Sequence, residues 1–227
     1  MTNKSPNSSW QPKDKIAPPV ELQFVTINPE EMPAQDIYKI LIGSIVPRPI
    51  AFISTLSKEG KENLAPFSFF NGVSSNPPTL MVSIAVKPDG TIKDTLRNIL
   101  DTNEFVVNSS NRWMIEPIVH CGGNFPSDLN ERDVVGLTPI ASDVVLPPRI
   151  KESAIQFECT RYAHIQVGDG SPGSSTLVIG KIEKIHIASH LYKDGKIILS
   201  ELQPVGRVGG IGYATIGDTF EIPIPKV

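Results

Sequence analysis

The residues best suited to chemistry lie at positions 65–76, where hydroxyl, amide and aromatic side chains stand among prolines and a glycine. Ser68 and Asn71 offer small polar groups beside phenylalanine rings, and Pro66 stiffens the backbone next to them. A flat aromatic ligand with a polar edge needs both features, because rings and backbone cover its faces while small donors bind its edge. A β-hairpin without a ligand would not need so many polar side chains here. The segment therefore predicts a site for a planar ring.

A second candidate group, Lys93, Asp94 and Thr95, stands at the start of a predicted helix over residues 96–100. The free amides and the positive dipole end of a helix N-terminus attract a phosphate. Thr95 can add a hydroxyl hydrogen bond and Lys93 a charge-assisted one. Because Asp94 would repel a phosphate that it faced, we expect its side chain to cap the helix. The alternative interpretation is an ordinary capped helix after the turn at residues 88–90.

Strands are the main elements that must position these groups. Alternating apolar residues and turn signals predict strands over residues 50–56, 155–167, 176–188 and 197–200. Gly180 interrupts the third of these strands and indicates a bulge or a point of close approach. Ser54 and Thr55, at the end of the first strand, are further candidates for binding a phosphate. The pattern predicts a mostly β protein built on one antiparallel barrel.

Helices play a smaller part in the prediction. A second helix is expected over residues 112–119, with Trp113 and Ile118 on its apolar side, ending before Cys121 and the two glycines that follow. Strands do not alternate with long helices, and no GxGxxG run follows a strand, which argues against a Rossmann unit. We therefore expect only a few peripheral helices around the barrel.

Composition limits the partners. A formal charge of −3 over 227 residues argues against nucleic acid or an acidic membrane as the main partner, and no apolar run is long enough to span a bilayer. The polar residues 1–20 predict a flexible arm, in which Trp10 either docks on a partner subunit or is a stray aromatic, before a single domain over residues 21–227. Two distant cysteines, Cys121 and Cys159, fit reduced thiols in a cytoplasmic protein better than a disulfide scaffold or a zinc site.

Several segments together resemble the flavin reductase-like, FMN-binding split-barrel family. They are PRPIAFIST from residue 47, NLAPFSFFNGVSSNPP from residue 63, MVSI from residue 81, KDTLRNI from residue 93 and EFVVN from residue 104. The resemblance extends over residues 37–220 with the motifs in the expected order. It implies a Greek-key split β-barrel that dimerises, with FMN (or FAD) bound at or near the subunit interface.

The resemblance gives the candidate residues their roles. Those expected to bind the flavin are Arg48, Ser54, Thr55, Pro66, Phe67, Ser68, Phe70, Asn71, Ser83, Lys93, Asp94 and Thr95. Phe67, Phe69 and Phe70 cannot all face the ring, since successive strand residues point to opposite sides, so at least one belongs to the core. Arg48 reaches the phosphate or a ring carbonyl, or steadies the partner subunit, or else is a solvated arginine in a turn.

The glycine-rich residues 204–213 also resemble the family, with Arg207 and Tyr213 at the border of a pocket for nicotinamide or another substrate. The alternative is a glycine-rich tail that wraps the barrel. One departure concerns the Gly-Asp-His run of many family reductases, whose histidine is linked to nicotinamide handling. Here the run is Gly-Asp-Gly at residues 168–170, in a longer loop, and His164 is a poor substitute on the polar face of its strand. The other histidines show no metal-ligand spacing.

Three functions remain open from the sequence. The first is an NAD(P)H-dependent reductase that passes a hydride to FMN, and the second is a flavoredoxin-like electron carrier or binding module that another redox protein reduces. The third is a split barrel whose pocket has lost the flavin, against which the intact motif of residues 48–76 argues. The choice between NADH and NADPH and the final electron acceptor are not determined by the sequence.

Overall fold

The computed structural model describes residues 5–123, 125 and 130–225, which form a barrel of antiparallel strands with short helices around it. The elements in chain order are α1 (Ala34–Ser44), β1 (Arg48–Pro49), β2 (Ala51–Leu56), β3 (Glu62–Phe67), β4 (Phe70–Ser75), β5 (Pro78–Ala85), α2 (Asp94–Thr102), β6 (Glu104–Ser109), α3 (Ile115–His120), α4 (Glu131–Val135), β7 (Pro139–Ile140), β8 (Arg149–Ile150), β9 (Ile155–Val167), β10 (Ser175–Ile187), β11 (Tyr192–Lys193), β12 (Lys196–Ile197), α5 (Leu199–Leu202), β13 (Val205–Arg207) and β14 (Tyr213–Thr215). Single 3₁₀ turns lie at Pro29–Glu31, Arg112–Met114 and Ser189–Leu191.

The main sheet has seven antiparallel strands in the order β3-β2-β6-β9-β10-β5-β4. Its two outer strands, β3 and β4, are consecutive in the chain and are joined by only Ser68 and Phe69, so the sheet curves until its edges approach each other. The chain leaves β5, passes through α2 and returns at β6 beside β2, which is a Greek-key connection. A small sheet, β1-β13-β14, lies beside the barrel. The predicted mostly β barrel with a few peripheral helices is confirmed.

Two apolar clusters stabilise this arrangement. The barrel interior is filled by side chains from β2, β5, β6, β9, β10 and α2, with Ile53, Val82 and Phe105 fully buried. The second cluster lies on the other side of β2 and β3, where Phe52 and Leu64 pack against Met114 and Ile118 of the helical segment. Strands β2 and β3 are therefore covered on both faces, and the groove described below lies at the end of β3.

The long hairpin of β9 and β10 matches the predicted strands to within one residue. Gly180 has both predicted features, since the strand register shifts beside it and a Cβ added there would overlap the ring of Phe105. In β9, burial does not follow the alternation of apolar and polar residues. The polar Gln156 and Glu158 are buried because the segment between β7 and β8 covers them, whereas the apolar Ile165 is 53% exposed.

Two details of the predicted helices and one predicted strand are wrong. Helix α2 begins at Asp94, with Lys93 as its N-cap and no side-chain cap, so Asp94 does not cap the helix. The segment at 112–119 is a 3₁₀ turn followed by α3, and Trp113 is exposed and donates its indole N–H to the carbonyl of Glu152. The predicted strand at 197–200 is the two-residue β12 followed by α5.

The N-terminal residues stand apart from the barrel. Residues 5–20 contain no helix or strand, and Trp10 is 44% exposed, while the flexibility of this arm stays a prediction. Among the described residues, no helix is both long enough and apolar enough to cross a membrane.

Candidate functional site

Two clefts meet at the end of β3 and together form one groove. They measure about 460 Å³ and 430 Å³, and both are lined by Pro66, Phe67 and Gly122. We call the first the lysine cleft, lined also by Asn63, Lys87, Lys93, Asp94 and Thr95. We call the second the arginine cleft, lined also by Tyr38, Arg48, Ser68, Arg207 and Tyr213. The groove thus brings together residues from both sequence clusters, which lie far apart in the chain.

A network of amides and hydroxyls forms the floor of the lysine cleft. The Asn63 side-chain amide donates to the Thr95 hydroxyl at 2.8 Å, and the Asn98 amide donates to the Thr55 hydroxyl at 3.0 Å. A hydroxyl that accepts one hydrogen bond keeps its own hydrogen to donate. Thr95 therefore retains a donor at the first turn of α2, and its role in binding a phosphate stays a prediction.

The lysine cleft holds a cation, Lys93, that forms no ion pair with any of the described residues. Burial, followed by the nearby charge of Lys87, lowers the pKa of Lys93, and Asp94 opposes this effect. Asp94 itself is neutralised by Lys87 at 3.3 Å and by Arg97 at 2.6 Å. Among the described residues, no carboxylate oxygen lies within 4.0 Å of the Lys93 ammonium. An anion in the cleft would supply the missing charge.

Two further carboxyl groups, those of Asp89 and Glu131, line the lysine cleft. Burial raises the pKa of Glu131, and one of its oxygens accepts the backbone N–H of Leu64 at 3.2 Å. Cys121 is buried beside Glu131, and burial raises the pKa of its thiol to about 12, so the thiol is protonated near neutral pH.

The arginine cleft is built around a buried guanidinium group. Arg48 is only 5% exposed, which rules out the interpretation of this residue as a solvated arginine in a turn. Its guanidinium donates to the carbonyls of Ile42 at 2.7 Å, Ile45 at 2.8 Å and Val208 at 3.3 Å, and to the Ser68 hydroxyl at 3.4 Å. The protein's own acceptors therefore occupy most of the donors of Arg48.

The β13–β14 hairpin forms the opposite wall of the arginine cleft. Arg207 stacks over the ring of Tyr213, with 4.5 Å between Cζ and the ring centroid, and hydrogen-bonds the Tyr213 hydroxyl and the Gly210 carbonyl. A Cβ at Gly212 would overlap Val208, so the tight turn requires glycine there. Ile211 stands at the hairpin tip and is 93% exposed. The hairpin presents Arg207 and Tyr213 at the cleft, where the sequence analysis expected them.

Several predicted site residues lie outside the groove. Ser54 is buried and its hydroxyl donates to the Pro148 carbonyl, and Thr55 lies behind the cleft floor. Phe70 packs against the barrel core, as expected for at least one phenylalanine. Asn71 and Ser83 are on the outer face of the sheet, because their neighbours Phe70 and Val82 point inward as a cross-strand pair. The structure thus separates these five residues from the groove, and their roles in binding stay predictions.

Sequence reasoning missed four residues that line the groove: Tyr38, Asn63, Lys87 and Gly122. Asn63 lies directly opposite Thr55 in the β2–β3 pair, so the strand register would have identified it. The sequence pattern identifies Gly122 only as part of a helix stop, and no quoted motif includes Lys87. Tyr38 is on α1, outside the quoted motifs, and no local pattern indicates it.

The loop that replaces the family's Gly-Asp-His run is closed on itself. The Asp169 carboxylate accepts the Ser171 hydroxyl at 2.6 Å, the Ser171 amide at 2.9 Å and the Ser174 hydroxyl at 3.1 Å. These bonds, the Ser171 hydroxyl first, lower the pKa of Asp169 to about 2. His164 is exposed, contacts Arg161 at 2.9 Å and lines neither cleft, so it does not replace the missing histidine.

A separate polar cluster joins Asp143, Glu158 and His186, whose ligand atoms lie within 4.8 Å of one another. Although burial raises the pKa of Glu158, the backbone N–H groups of Asp143 and Val144 and the His186 ring lower it further, and the net pKa is lowered. Because these bonds already engage the Glu158 carboxylate and Lys184 pairs with Asp143 at 2.9 Å, the cluster acts as a structural tie for the segment that covers β9.

Comparison with known proteins agrees with this geometry. The model of the flavin reductase like domain family matches residues 42–199. An uncharacterized protein of Aquifex aeolicus is 40% identical over 192 residues, covering 85% of this chain and 94% of that protein. The structure of nitrilotriacetate monooxygenase component B from Bacillus cereus is 40% identical, with a TM-score of 0.85 over 89% of this chain and 100% of the other.

A more distant structure, the 2-nitrobenzoate 2-nitroreductase NbaA of Pseudomonas fluorescens, is 30% identical, with a TM-score of 0.79 over 88% of this chain and 96% of that one. Each of these two structures therefore matches most of this chain. The family match alone spans well over half of it. The chain belongs to the flavin reductase-like family of split-barrel proteins.

Proposed function

We propose that the protein binds FMN in the groove and acts as an NAD(P)H-dependent flavin reductase. One observation supports this proposal above the others. The end of β3, residues 65–68, connects a cleft with an unneutralised lysine to a cleft with aromatic rings and a buried arginine. FMN has the matching construction, a single phosphate at one end and a planar ring system at the other.

The donors in the lysine cleft suit a phosphate. Lys93 offers a charge, the Thr95 hydroxyl offers a hydrogen, and the amides of the first turn of α2 offer the dipole of a helix N-terminus. The negative charge of Asp94, which would repel a phosphate, is neutralised by Lys87 and Arg97. A single phosphate fits this set better than the longer diphosphate of FAD, since Lys93 is the cation that the cleft leaves without a partner.

The arginine cleft suits the ring. Pro66 and Phe67 supply a rigid floor, Ser68 supplies a small polar group, and Tyr38 and Tyr213 supply aromatic surface on either side. When bound, a flavin supplies the hydride-accepting chemistry itself, so the chain need only hold and orient its ligands and exclude water. This limited role of the chain agrees with the groove, whose described residues include neither an activated nucleophile nor a catalytic pair of carboxylates. Arg207 and Tyr213 would border the nicotinamide.

A flavoredoxin-like electron carrier is the second candidate function. The observation that favours it is the loop at 168–174, where hydrogen bonds within the loop occupy Asp169 and no histidine faces the groove. In this case a redox protein, and not NAD(P)H, would reduce the bound flavin. The name of the Bacillus cereus relative, a monooxygenase component, makes an oxygenase partner a further possibility for the acceptor.

We also propose that the active form is a homodimer in the cytoplasm. The outer face of β9, β10 and β5 is apolar, with Ile165, Val167, Leu177, Ile179 and Met81 at least partly exposed. A soluble monomer rarely leaves such a face open to water. Asn71 and Ser83 lie on the same face, so a flavin bound at the interface with a second subunit would bring them into the site. The buried free thiols of Cys121 and Cys159 suit a reducing compartment.

The experiment that tests the proposed function is anaerobic stopped-flow mixing of the FMN-loaded protein with NADH and, separately, NADPH. We expect the flavin absorbance near 450 nm to be lost during the dead time or within seconds of mixing, because enzymes typically turn over at about 1–1,000 s⁻¹. Bleaching by dithionite but by neither nucleotide would identify the carrier instead. Failure of the protein to retain or take up flavin would reject both.

A matched pair of variants locates the site. The double variant with Ser68→Ala and Thr95→Ala should weaken FMN binding, because it removes one donor from each cleft. Thr102→Ala removes a hydroxyl from the last turn of the same helix, where it bonds the Asn98 carbonyl outside both clefts, and should leave FMN affinity unchanged. Equal affinities in all three proteins would mean that the flavin does not bind in this groove.

A further inference from the structure

We propose that Arg48 is a positioning residue that fixes three walls of the arginine cleft and directs the hydroxyl hydrogen of Ser68 into the cleft, as a donor to an acceptor atom on the ring of the ligand. The identity of the ligand rests on the proposed function. The clamp formed by Arg48 is a property of the unliganded protein.

The first wall is the end of α1. Helix α1 ends at Ser44, and the last carbonyls of a helix have no partner within the helix. Nη1 of Arg48 donates to the carbonyls of Ile42 and Ile45 at 2.7 Å and 2.8 Å, and so satisfies two acceptors at this end. A cation at a helix C-terminus also interacts favourably with the dipole. Tyr38, one turn before Ile42, is thereby held at the cleft.

The other two walls are the β13–β14 hairpin and the end of β3. Nη2 of Arg48 donates to the carbonyl of Val208 at 3.3 Å, at the base of the hairpin, and Nε donates to the Ser68 hydroxyl at 3.4 Å. A guanidinium group is planar and presents its donors at fixed angles, so the acceptors are held in one mutual arrangement. A lysine ammonium could satisfy only part of this set from one point.

The direction of the Ser68 hydrogen follows from proton counting. An arginine side chain has donors and no acceptor, so the Ser68 oxygen must accept the hydrogen bond from Nε. The hydrogen of Ser68 then points elsewhere, and Ser68 lines the arginine cleft. Polarisation by the cation strengthens a hydroxyl donor. Its partner would therefore be a ring carbonyl oxygen or a ring nitrogen that stays unprotonated on reduction, and the bond would strengthen as negative charge grows on that ring.

The ligand part is tested with the wild type, Ser68→Ala, Arg48→Lys and the double variant. We expect Ser68→Ala to weaken FMN and riboflavin about tenfold each, as a charge-assisted bond would. The reduced flavin should lose more affinity than the oxidised one, so the potential of bound FMN falls, by about 30 mV for each tenfold difference in a two-electron couple. The double variant should bind no more weakly than Arg48→Lys alone, since Ser68 acts through Arg48.

Additive losses in the double variant, or an unchanged potential in Ser68→Ala, would overturn the role of Ser68. If Arg48→Lys does not fold, the redox potential of FMN bound to Ser68→Ala still decides the role of Ser68. A wild type that binds no flavin rejects the proposed function and the Ser68 donor together, and leaves the clamp to be decided by a measurement without ligand.

That measurement is amide hydrogen exchange in the unliganded protein. The hairpin amides of Val208 and Gly212 are bonded at 3.1 Å and 3.0 Å, and we expect Arg48→Lys to raise their exchange rates at least tenfold. Arg149→Lys is the matched control, because Arg149 also donates to a backbone carbonyl, that of Ala141, but lines neither cleft. It should leave the hairpin unchanged. Unchanged exchange at the hairpin in Arg48→Lys would overturn the clamp.

Discussion

The two clefts of the groove are built in opposite ways. In the arginine cleft a buried cation is saturated by backbone carbonyls, whereas in the lysine cleft a half-buried cation lacks a counter-charge among the described residues. A cation that is fully used by the protein contributes stability and shape. A cation left without a partner contributes affinity for an anion and costs some stability until the anion arrives. A positive charge therefore contributes to stability in the arginine cleft and to affinity for an anion in the lysine cleft.

The largest expected effect is on stability at the arginine end. Arg48→Met should lower the free energy of unfolding by about 3 kcal/mol, because it leaves three carbonyls and one hydroxyl without their donor. Lys93→Met removes no hydrogen bond between described residues and should leave that free energy unchanged or slightly raised. Urea unfolding of both variants measures the difference. A loss below 1 kcal/mol in Arg48→Met, or similar losses in both, would remove the contrast between the clefts.

The next largest effect is on phosphate recognition at the lysine end. Lys93→Met should weaken FMN at least tenfold, the value of a charge-assisted hydrogen bond, and should reduce the salt dependence of binding. Riboflavin has the same ring without the phosphate, so its affinity should not change. Fluorescence titration of both flavins at low and high salt provides the comparison. A loss of riboflavin affinity equal to that of FMN would place Lys93 at the ring and not at the phosphate.

A smaller effect is expected for the hydroxyl in the same cleft. Thr95→Ala should weaken FMN about fivefold, since a single hydrogen bond is worth roughly 1 kcal/mol, and should leave riboflavin unaffected. It also deprives the Asn63 amide of its best acceptor, which lowers the free energy of unfolding by about the same amount. An FMN titration and a urea unfolding curve on the Thr95→Ala variant measure the two effects separately. Unchanged FMN affinity with lowered stability would make Thr95 a support for Asn63 only.

The contrast between the clefts explains how much the sequence could predict. Local patterns located the strands, the Gly180 bulge and the two segments at 65–71 and 93–95, because period-two alternation and turn residues act over short distances. Spacing also placed Thr95 correctly at the first turn of a helix. The local patterns also predicted an antiparallel barrel and a site for a planar ring, and the resemblance to a family added the Greek-key connection and a flavin as the expected ligand.

What the sequence could not supply was the partner of each group. Arg48 and Lys93 are both cations beside a turn, and only tertiary contacts with Ile42, Ile45 and Val208 make the first a clamp. Ser54 was grouped with Thr55 as a phosphate ligand, but its hydroxyl is committed to a carbonyl of the segment before β8. Tyr38 reaches the cleft only because the end of α1 docks on Arg48.

The smallest expected effect is a pH dependence of opposite sign in stability and affinity. The pKa of Lys93 is lowered in the folded protein, by burial first and by Lys87 second, and in the unfolded chain it is near the ordinary value of about 10.4. Between these two values the unfolded chain binds more protons, so this residue makes the free energy of unfolding rise with pH. Over the same interval the lysine loses its charge, and FMN affinity should fall. Urea unfolding and FMN titration are followed from about pH 8 to the ordinary lysine pKa, with riboflavin as the reference for titration of the ring. Because other groups titrate in the same range, such as the Cys121 thiol with its raised pKa, the expected result is a difference between two proteins. Relative to Lys93→Met, the wild type should gain stability and lose FMN affinity as the pH rises. Parallel curves for the two proteins would mean that Lys93 titrates as a solvated lysine, and that the cleft does not hold a cation prepared for an anion.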